Sequence, residues 1–355
     1  MDREYTREIE KIEAVLNGYL PAFPNDAWYG RIFPGLDLKP EWPENLIKPG
    51  RDLLKRGGKR WRPLLAHLLC RTLGGGDTAL PLLPLIELSH TASLIHDDLE
   101  DNSGERRGQP AIHLLYGSDT AINSGSFLYF LPFVSLEIWE GKPEEKNKLW
   151  QLWAQHLRFL HLGQSMDIAW HRDPAFVPSI DEYMLMCGLK TGYLARFAAL
   201  LGVEAARIAL KTTVSASVAA LNQELALSLG EAAKKLGIGF QILDDVKNLS
   251  TGIAGKKHGD DVVEGKKSLP VILYLQGKDG CHAFVQRCFT AAREGGADVP
   301  EVKEFIDVLT RAGVLVEAER QGKALISEAK TAFSALSTAD DREGRLLAGL
   351  TELLI

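Results

Sequence analysis

Carboxylates at Asp97, Asp98 and Asp101, followed by the paired Arg106 and Arg107, are the residues of this chain best suited to chemistry. They close an apolar run from Pro84 to Ile95 whose spacing predicts a helix, so Asp97 and Asp101 fall on one face a turn apart. Carboxylates so close repel one another unless they share a cation. Hard, oxygen-preferring Mg²⁺ suits the set, because it keeps waters or substrate phosphates in its remaining positions. The guanidinium forks of the two arginines match phosphate oxygens bidentately. An acidic cluster beside a basic pair reads as a metal–polyphosphate site, although a charge run after an apolar stretch also describes a solvated helix end.

A second copy of the pattern weighs against the solvated end. Gly239 to Leu243 lead into Asp244, Asp245 and Asn248, and cations follow at Lys256, Lys257, Lys266 and Lys267. Two such ends facing one another would hold a diphosphate through several metal ions. Upstream, Gly57 and Gly58 allow close backbone approach, and Lys59 and Arg62 lie three apart, able to address one anion if a helix begins there. A solvated basic turn is the alternative. His90, two turns before Asp97, either meets a second phosphate or is an ordinary helix histidine. Ala92 and Ser93 are small where this face nears the acidic end, leaving volume for a chain. Phe127, Tyr129 and Phe130 either close such a tunnel or form a core aromatic cluster. Gln164 and Asp167 share a helix face, and Lys190-Thr191-Gly192 interrupts the helix that follows, a weak signal by itself.

Helices must carry these groups, and the apolar spacing predicts them at 2–20, 64–74, 80–100, 110–116, 120–138, 149–170 and 221–249, with Gly74 to Gly76 a loop. Ser179 or Asp181 caps the helix after Pro178, Pro270 starts or bends one through Leu275, and 301–350 is mostly amphipathic helix. Between Pro21 and Pro49 the proline density, with Trp28, Tyr29, Phe33 and Trp42, suggests an irregular segment pinned by aromatics. No convincing β-alternation and no glycine-rich strand-to-helix phosphate loop is present. The expected fold is all-α: a single helical-bundle domain at 51–355 around a central cavity, both acidic ends converging at one mouth, with 1–50 an N-terminal helix and irregular extension.

Hydrophobic content of 45% and charged content of 25% are ordinary for a soluble globular protein. A formal charge of −6 with a pI near 5.9 gives no reason to expect nucleic acid as a partner. Cys70, Cys187, Cys281 and Cys288 have neither metal-ligand spacing nor a disulfide framework, which suggests free thiols in a reducing compartment. The N-terminus is charged and lacks a secretory core, and Phe127 to Leu136 is too short and too broken by Pro132 to span a bilayer. A cytoplasmic protein without a transmembrane segment is expected.

Several of these motifs, in this order, make residues 50–330 resemble the trans-isoprenyl diphosphate synthases, the polyprenyl synthetase family. Asp97-Asp98-Leu99-Glu100-Asp101 looks like the first aspartate-rich motif, and Asp244-Asp245-Val246-Lys247-Asn248 occupies the second, whose last position is commonly aspartate. That asparagine, Glu100 to Ser103, Ile122-Asn123-Ser124 with Tyr129-Phe130, and Gly163-Gln164 followed by Asp167-Ile168 are similar to the geranylgeranyl diphosphate synthases of the animal and fungal type. The resemblance implies an isoprenoid-synthase-type bundle, generally dimeric, that condenses isopentenyl diphosphate with an allylic diphosphate in a Mg²⁺-dependent reaction. A C20 product is expected, with farnesyl or longer products open. By resemblance Asp97, Asp98, Asp101, Asp244 and Asp245 would hold Mg²⁺, three ions with diphosphate bound, and Asn248 would be a weaker or indirect ligand. Arg106, Lys190, Gln241, Lys256 and Lys266 would contact the allylic diphosphate, with Thr191 beside them. Gly58, Lys59, Arg62, His90 and Arg107 would bind isopentenyl diphosphate. Ser89, Ala92 and Ser93, with Phe127 and Phe130, would set chain length. A terpene cyclase is a rival, but it would have little use for Lys59, Arg62 and Arg107. A non-catalytic partner subunit is disfavoured by the five carboxylates retained.

Overall fold

Apolar spacing is answered by helix through almost the whole chain. A computed structural model describes residues 3–211, 222–252, 258–336 and 341–354. Among these the chain is all-α apart from a two-residue ladder, Glu105–Arg106 against Gln109–Pro110. It divides into two compact units: Met1–Gln155, Arg196–Gly230 and Ala332–Leu353 form the first, and His156–Ala195, Glu231–Thr331 and Leu354–Ile355 the second.

In the first unit the helix Pro84–Glu100 is the hub. Helices Arg3–Tyr19, Glu44–Lys55, Trp61–Thr72, Ile112–Tyr116 and Ser118–Phe130 all pack on it. Pro84 stands in its first turn, where a missing N–H loses no helical bond. Surrounded in this way, the helix buries Leu85, Ile86, Leu88, Ala92 and Ile95 together with Ser89 and Thr91. Both buried hydroxyls are satisfied locally, each donating to the carbonyl a turn back, Leu85 and Glu87, at 2.8 Å.

The stretch 21–50 departs from expectation, since it holds a helix at Asp26–Ile32 and the start of Glu44–Lys55. Asn25 caps the first, its side chain accepting from the Trp28 amide at 2.9 Å. The second runs through Pro49, because burial of Ile47, Leu53 and Leu54 outweighs the one backbone bond that proline cannot make. Pinning by aromatics is partial. Trp28 is buried and donates to the Tyr19 carbonyl at 3.1 Å, whereas Phe23 and Trp42 are 91% and 59% exposed. Residues 118–138 are apolar and long enough to cross a membrane by composition, but they form two helices, Ser118–Phe130 and Phe133–Ile138, on either side of Leu131-Pro132. The first of these packs on Pro84–Glu100 and Glu44–Lys55.

In the second unit Ser179, of the two caps considered, opens the helix Ile180–Cys187 with a capping box: its hydroxyl accepts from the Glu182 amide, and Glu182 accepts from the Ser179 amide at 2.7 Å. The chain then widens into a π-helical turn, Gly188–Gly192, before the helix Tyr193–Leu210. Pro270 starts the helix Leu269–Gln276 rather than bending it. Two cores hold this unit together. One gathers Tyr183, Met186, Ile238, Ile242 and Leu269, and the other Val285, Phe289, Phe305 and Leu309.

Candidate functional site

The first acidic motif sits where Pro84–Glu100 ends. The Asp101 amide returns to the Asp97 carbonyl at 2.9 Å, and the Ser103 amide to the Asp98 carbonyl at 2.8 Å. The short ladder that follows turns at Arg107 and Gly108, with φ of +56° and +75°, and brings Arg106 back over the helix end. Its Nε donates to Asp98 Oδ1 at 2.7 Å, and its Nη2 reaches both Asp98 Oδ1 and, at 3.3 Å, Asp97 Oδ2. Asp98 has no exposed area and its Oδ2 has no hydrogen-bond partner. Burial pushes its carboxyl up, and the Arg106 charge opposes that. A buried carboxylate oxygen without a donor fits a hard divalent cation. Among the described residues no three His, Cys, Asp or Glu side chains already converge as a cage. Mg²⁺ seldom uses one, since substrate phosphates and waters complete its octahedron.

Arg107 leaves the turn in the other direction. Its Nη1 donates to the carbonyls of Leu53, at 3.2 Å, and Gly57, and a Cβ on Gly58 would lie 2.8 Å from its Nη2. Gly58, at φ +140°, is thus required both by its backbone and by the guanidinium beside it. Arg60, 3% exposed, fastens the same turn from beneath. It donates to Glu13 at 2.6 Å, Glu87 at 2.7 Å and the Leu54 carbonyl at 2.6 Å. Lys59 stays exposed on the turn. Burial, and behind it the charges of Arg62, Arg107, Arg60 and Arg106, holds the His90 imidazole well below its ordinary pKa. A neutral imidazole among guanidinium groups is an arrangement for an anion, and it gathers Gly58, Arg62, His90 and Arg107.

In the second unit a pocket is lined by Asp167, Tyr183, Lys190, Thr191, Gln241, Asp245 and Lys266, among others. Lys190 projects from the π turn to Asp167 Oδ2 at 2.6 Å. Thr191 Oγ1 donates to Gln241 Oε1 at 2.9 Å, and Gln241 Nε2 donates to Asp245 Oδ1 at 2.8 Å. Tyr183 Oη donates to Asp245 Oδ2 at 2.8 Å. Burial and the neighbouring Asp261 charge push the Asp245 carboxyl up, against the pull of these donors and of Lys266. Lys266 is held by Glu264 and, at 3.6 Å, by Asp261. The π turn itself is seated on a glycine of the neighbouring helix: a Cβ on Gly163 would lie 2.3 Å from the Lys190 backbone nitrogen.

Some candidates stand elsewhere. Asn248 is 1% exposed, and its Oδ1 accepts from the Asp261 amide at 3.2 Å, so it clasps the loop that returns from the helix Gln223–Asn248. Asp244 is half-buried beside Asp245. Lys256 lies outside the described residues. Ser89 and Ala92 are fully buried, and Ser89 accepts from Trp153 Nε1 at 3.0 Å. Ser93 donates to the His90 carbonyl at 2.8 Å. Phe127 stacks on Phe33 with ring centres 6.0 Å apart. Phe130, the last residue of Ser118–Phe130, is 66% exposed. Sequence reasoning passed over Arg60 and Tyr183. Tyr183 lies seven residues before Lys190, a two-turn spacing that could have marked it.

Similarity to known proteins runs through most of the chain. The Polyprenyl synthetase family pattern matches residues 43–307. A geranylfarnesyl diphosphate synthase of Aeropyrum pernix is 29% identical, covering 90% of this chain and 96% of its own length. A geranylgeranyl diphosphate synthase of Methanosarcina mazei is 30% identical over 88% of this chain and 90% of its own. The crystal structure of a geranylgeranyl pyrophosphate synthetase from Pyrococcus horikoshii superposes with a TM-score of 0.78 at 26% identity, covering 99% of this chain and 96% of that one.

Proposed function

The chain belongs to the polyprenyl synthetase family of Mg²⁺-dependent trans-prenyltransferases, which condense isoprenoid units, and on that premise we propose that it makes geranylgeranyl diphosphate (C20). Its substrates on this reading are isopentenyl diphosphate and an allylic diphosphate. Residues 51–355 form the catalytic region, and the enzyme works as a cytoplasmic homodimer. The observation that supports the product length is Ala92, a small side chain fully buried five residues before Asp97, where an aromatic would shorten the room for a growing chain. Ser89, held by Trp153 at 3.0 Å, lies eight residues before Asp97, about 12 Å down the helix.

Asp97, Asp98 and Asp101 in the first unit, and Asp244 and Asp245 in the second, are the proposed metal ligands. Three Mg²⁺ ions, when bound, would share the negative charge of the diphosphate. Arg106, Lys190, Gln241, Lys256 and Lys266, with Thr191, are assigned to the allylic diphosphate. As its carbon–oxygen bond breaks, both bonding electrons pass to the leaving diphosphate, and these side chains meet the charge as it develops. Gly58, Lys59, Arg62, His90 and Arg107 are assigned to isopentenyl diphosphate, holding its double bond against the allylic cation with water excluded. Attack forms the new carbon–carbon bond, and loss of one proton to the released diphosphate restores an alkene. Asn248, whose Oδ1 accepts from the Asp261 amide, is assigned as a weaker or indirect ligand.

The test is incubation with radiolabelled isopentenyl diphosphate and C5, C10 or C15 allylic primers, followed by separation of products by length. C20 as the end product from every primer is expected. A C15 or longer end product would overturn the length assignment, and turnover of an allylic diphosphate without isopentenyl diphosphate would favour a cyclase.

A further inference from the structure

His113 stands on the short helix Ile112–Tyr116, which packs on Pro84–Glu100. It is 9% exposed, and neither ring nitrogen has a hydrogen-bond partner. An imidazole always carries at least one N–H, and leaving such a donor buried and unpaired costs about 1–3 kcal/mol, so an orphan here calls for an explanation. The matching orphan is an acceptor: Asp98 Oδ2, wholly buried and also without a partner. The two groups lie within electrostatic reach of each other.

The segment that leads from Asp98 to His113 is stitched down on both sides. Tyr116 Oη donates to Asp52 Oδ2 at 2.8 Å, and Asp52 Oδ1 accepts from Arg56 Nε at 3.0 Å. Arg56 Nη1 in turn donates to the carbonyls of Arg106, at 3.0 Å, and Pro110, at 2.9 Å. The Ala111 amide closes the loop on the Gly104 carbonyl at 3.2 Å. Without ligand, Arg106 covers Asp98 Oδ1 and leaves Oδ2 bare.

We propose that His113 is a positioning residue for Asp98, donating an imidazole N–H through one buried water to the lone pair of Oδ2 that a bound cation would leave free. When a metal–diphosphate draws Arg106 away, His113 is the protein donor that keeps Asp98 aimed. This rests on the metal assignment made above. Partners of metal-binding carboxylates typically contribute 10–100-fold to metal affinity.

The test is calorimetric binding of Mg²⁺ with inorganic diphosphate to the full chain, comparing wild type, Asp98→Ala, His113→Leu, His113→Asn and His113→Gln, with melting temperatures recorded alongside. Asparagine mimics a donor at Nδ1 and glutamine one at Nε2. His113→Leu should weaken Mg²⁺–diphosphate binding about tenfold, with one of the two amides restoring affinity to near wild type. Should His113→Leu fail to fold, a contrast between the two amides supports the proposal in the same way. All three variants within twofold of wild type would overturn it, as would equal losses in all three that follow a fall in melting temperature. If wild type and Asp98→Ala bind alike, the metal assignment itself has failed, which is a separate result.

Discussion

Gly163 offers a sharp test of how the second unit aims Lys190. An added methyl would lie 2.3 Å from the Lys190 backbone nitrogen and 2.8 Å from the Leu189 Cβ, where ordinary contact begins at 3.4 Å. The obstacle is backbone, so either the helix or the π turn must move by about 1 Å. Two effects oppose one another in Gly163→Ala. Alanine favours a helix interior by about 1 kcal/mol over glycine, whereas overpacking a closed interior costs about 1–3 kcal/mol. With a clash this deep the second wins, giving a net loss of about 1–2 kcal/mol. The functional loss should be larger, because Lys190 holds Asp167 at 2.6 Å and Thr191 starts the chain of hydrogen bonds to Asp245. Misplacing a reacting group by about 1 Å can lower turnover up to 100-fold. Thermal melts paired with steady-state kinetics read both quantities, kcat falling by one to two orders of magnitude while KM for isopentenyl diphosphate holds. Gly18→Ala is the control: nothing lies within 4 Å of its added methyl, so only the helix preference remains, and it should stabilise. Wild-type melting and kinetics in Gly163→Ala would refute the reasoning.

Asp97→Ala and Asp244→Ala should each lower turnover by orders of magnitude with melting temperature unchanged or raised, since one of several repelling carboxylates is gone; near-normal rates would sink the metal assignment. Arg60→Met strands Glu87, 2% exposed, without its guanidinium partner and should cost about 3–5 kcal/mol, read by chemical denaturation, with KM for isopentenyl diphosphate rising as the Gly57–Arg62 turn loosens. Stability should fall in acid. Burial pushes the Glu8 carboxyl up, but hydrogen bonds from Lys11, His67 and Arg342 outweigh it and hold the pKa at about 2, below the ordinary 4.5. Its contribution is therefore complete above pH 4.5 and lost as pH falls towards 2. His67, lowered by burial, acts in the same direction, its share being complete above 6.5 and lost below. Denaturant melts from pH 7 to pH 3 should show Glu8→Gln with a flattened acid limb, and an unchanged limb would remove Glu8 from the account.

Element positions were legible because apolar side chains recur at helical spacing, and the first acidic motif could be placed at a helix end from that pattern alone. Hydrogen-bond register was not. Lys190 to Gly192 looked like an interruption, whereas the chain continues through a wider turn at Gly188–Gly192; a Cβ on Gly192 would lie 2.9 Å from the Lys234 carbonyl oxygen, a packing constraint that spacing cannot reveal. Which cation of Lys59-Arg60-Trp61-Arg62 faces inward was equally hidden, because direction depends on the φ of +48° at Arg60. Proline density around Pro49 masked a helix whose burial overrides it. The bond from the Asp261 amide to Asn248 was hidden too, because it joins residues too far apart in sequence for any local pattern to pair.

The ion pairs of the cations assigned to the allylic diphosphate have a consequence for selectivity. Arg106 rests on Asp97 and Asp98, Lys190 on Asp167, and Lys266 on Glu264 and Asp261. These three of the cations assigned to the allylic diphosphate are thus already engaged by carboxylates of their own units. Mg²⁺ alone would have to strip Arg106 from its aspartates and leave a guanidinium without an anion. Diphosphate alone would strand the carboxylates in the same way. On the proposed assignments only the two arriving together satisfy both halves of a separated pair, so the protein should act as a coincidence detector, binding the metal–diphosphate complex more readily than either part alone.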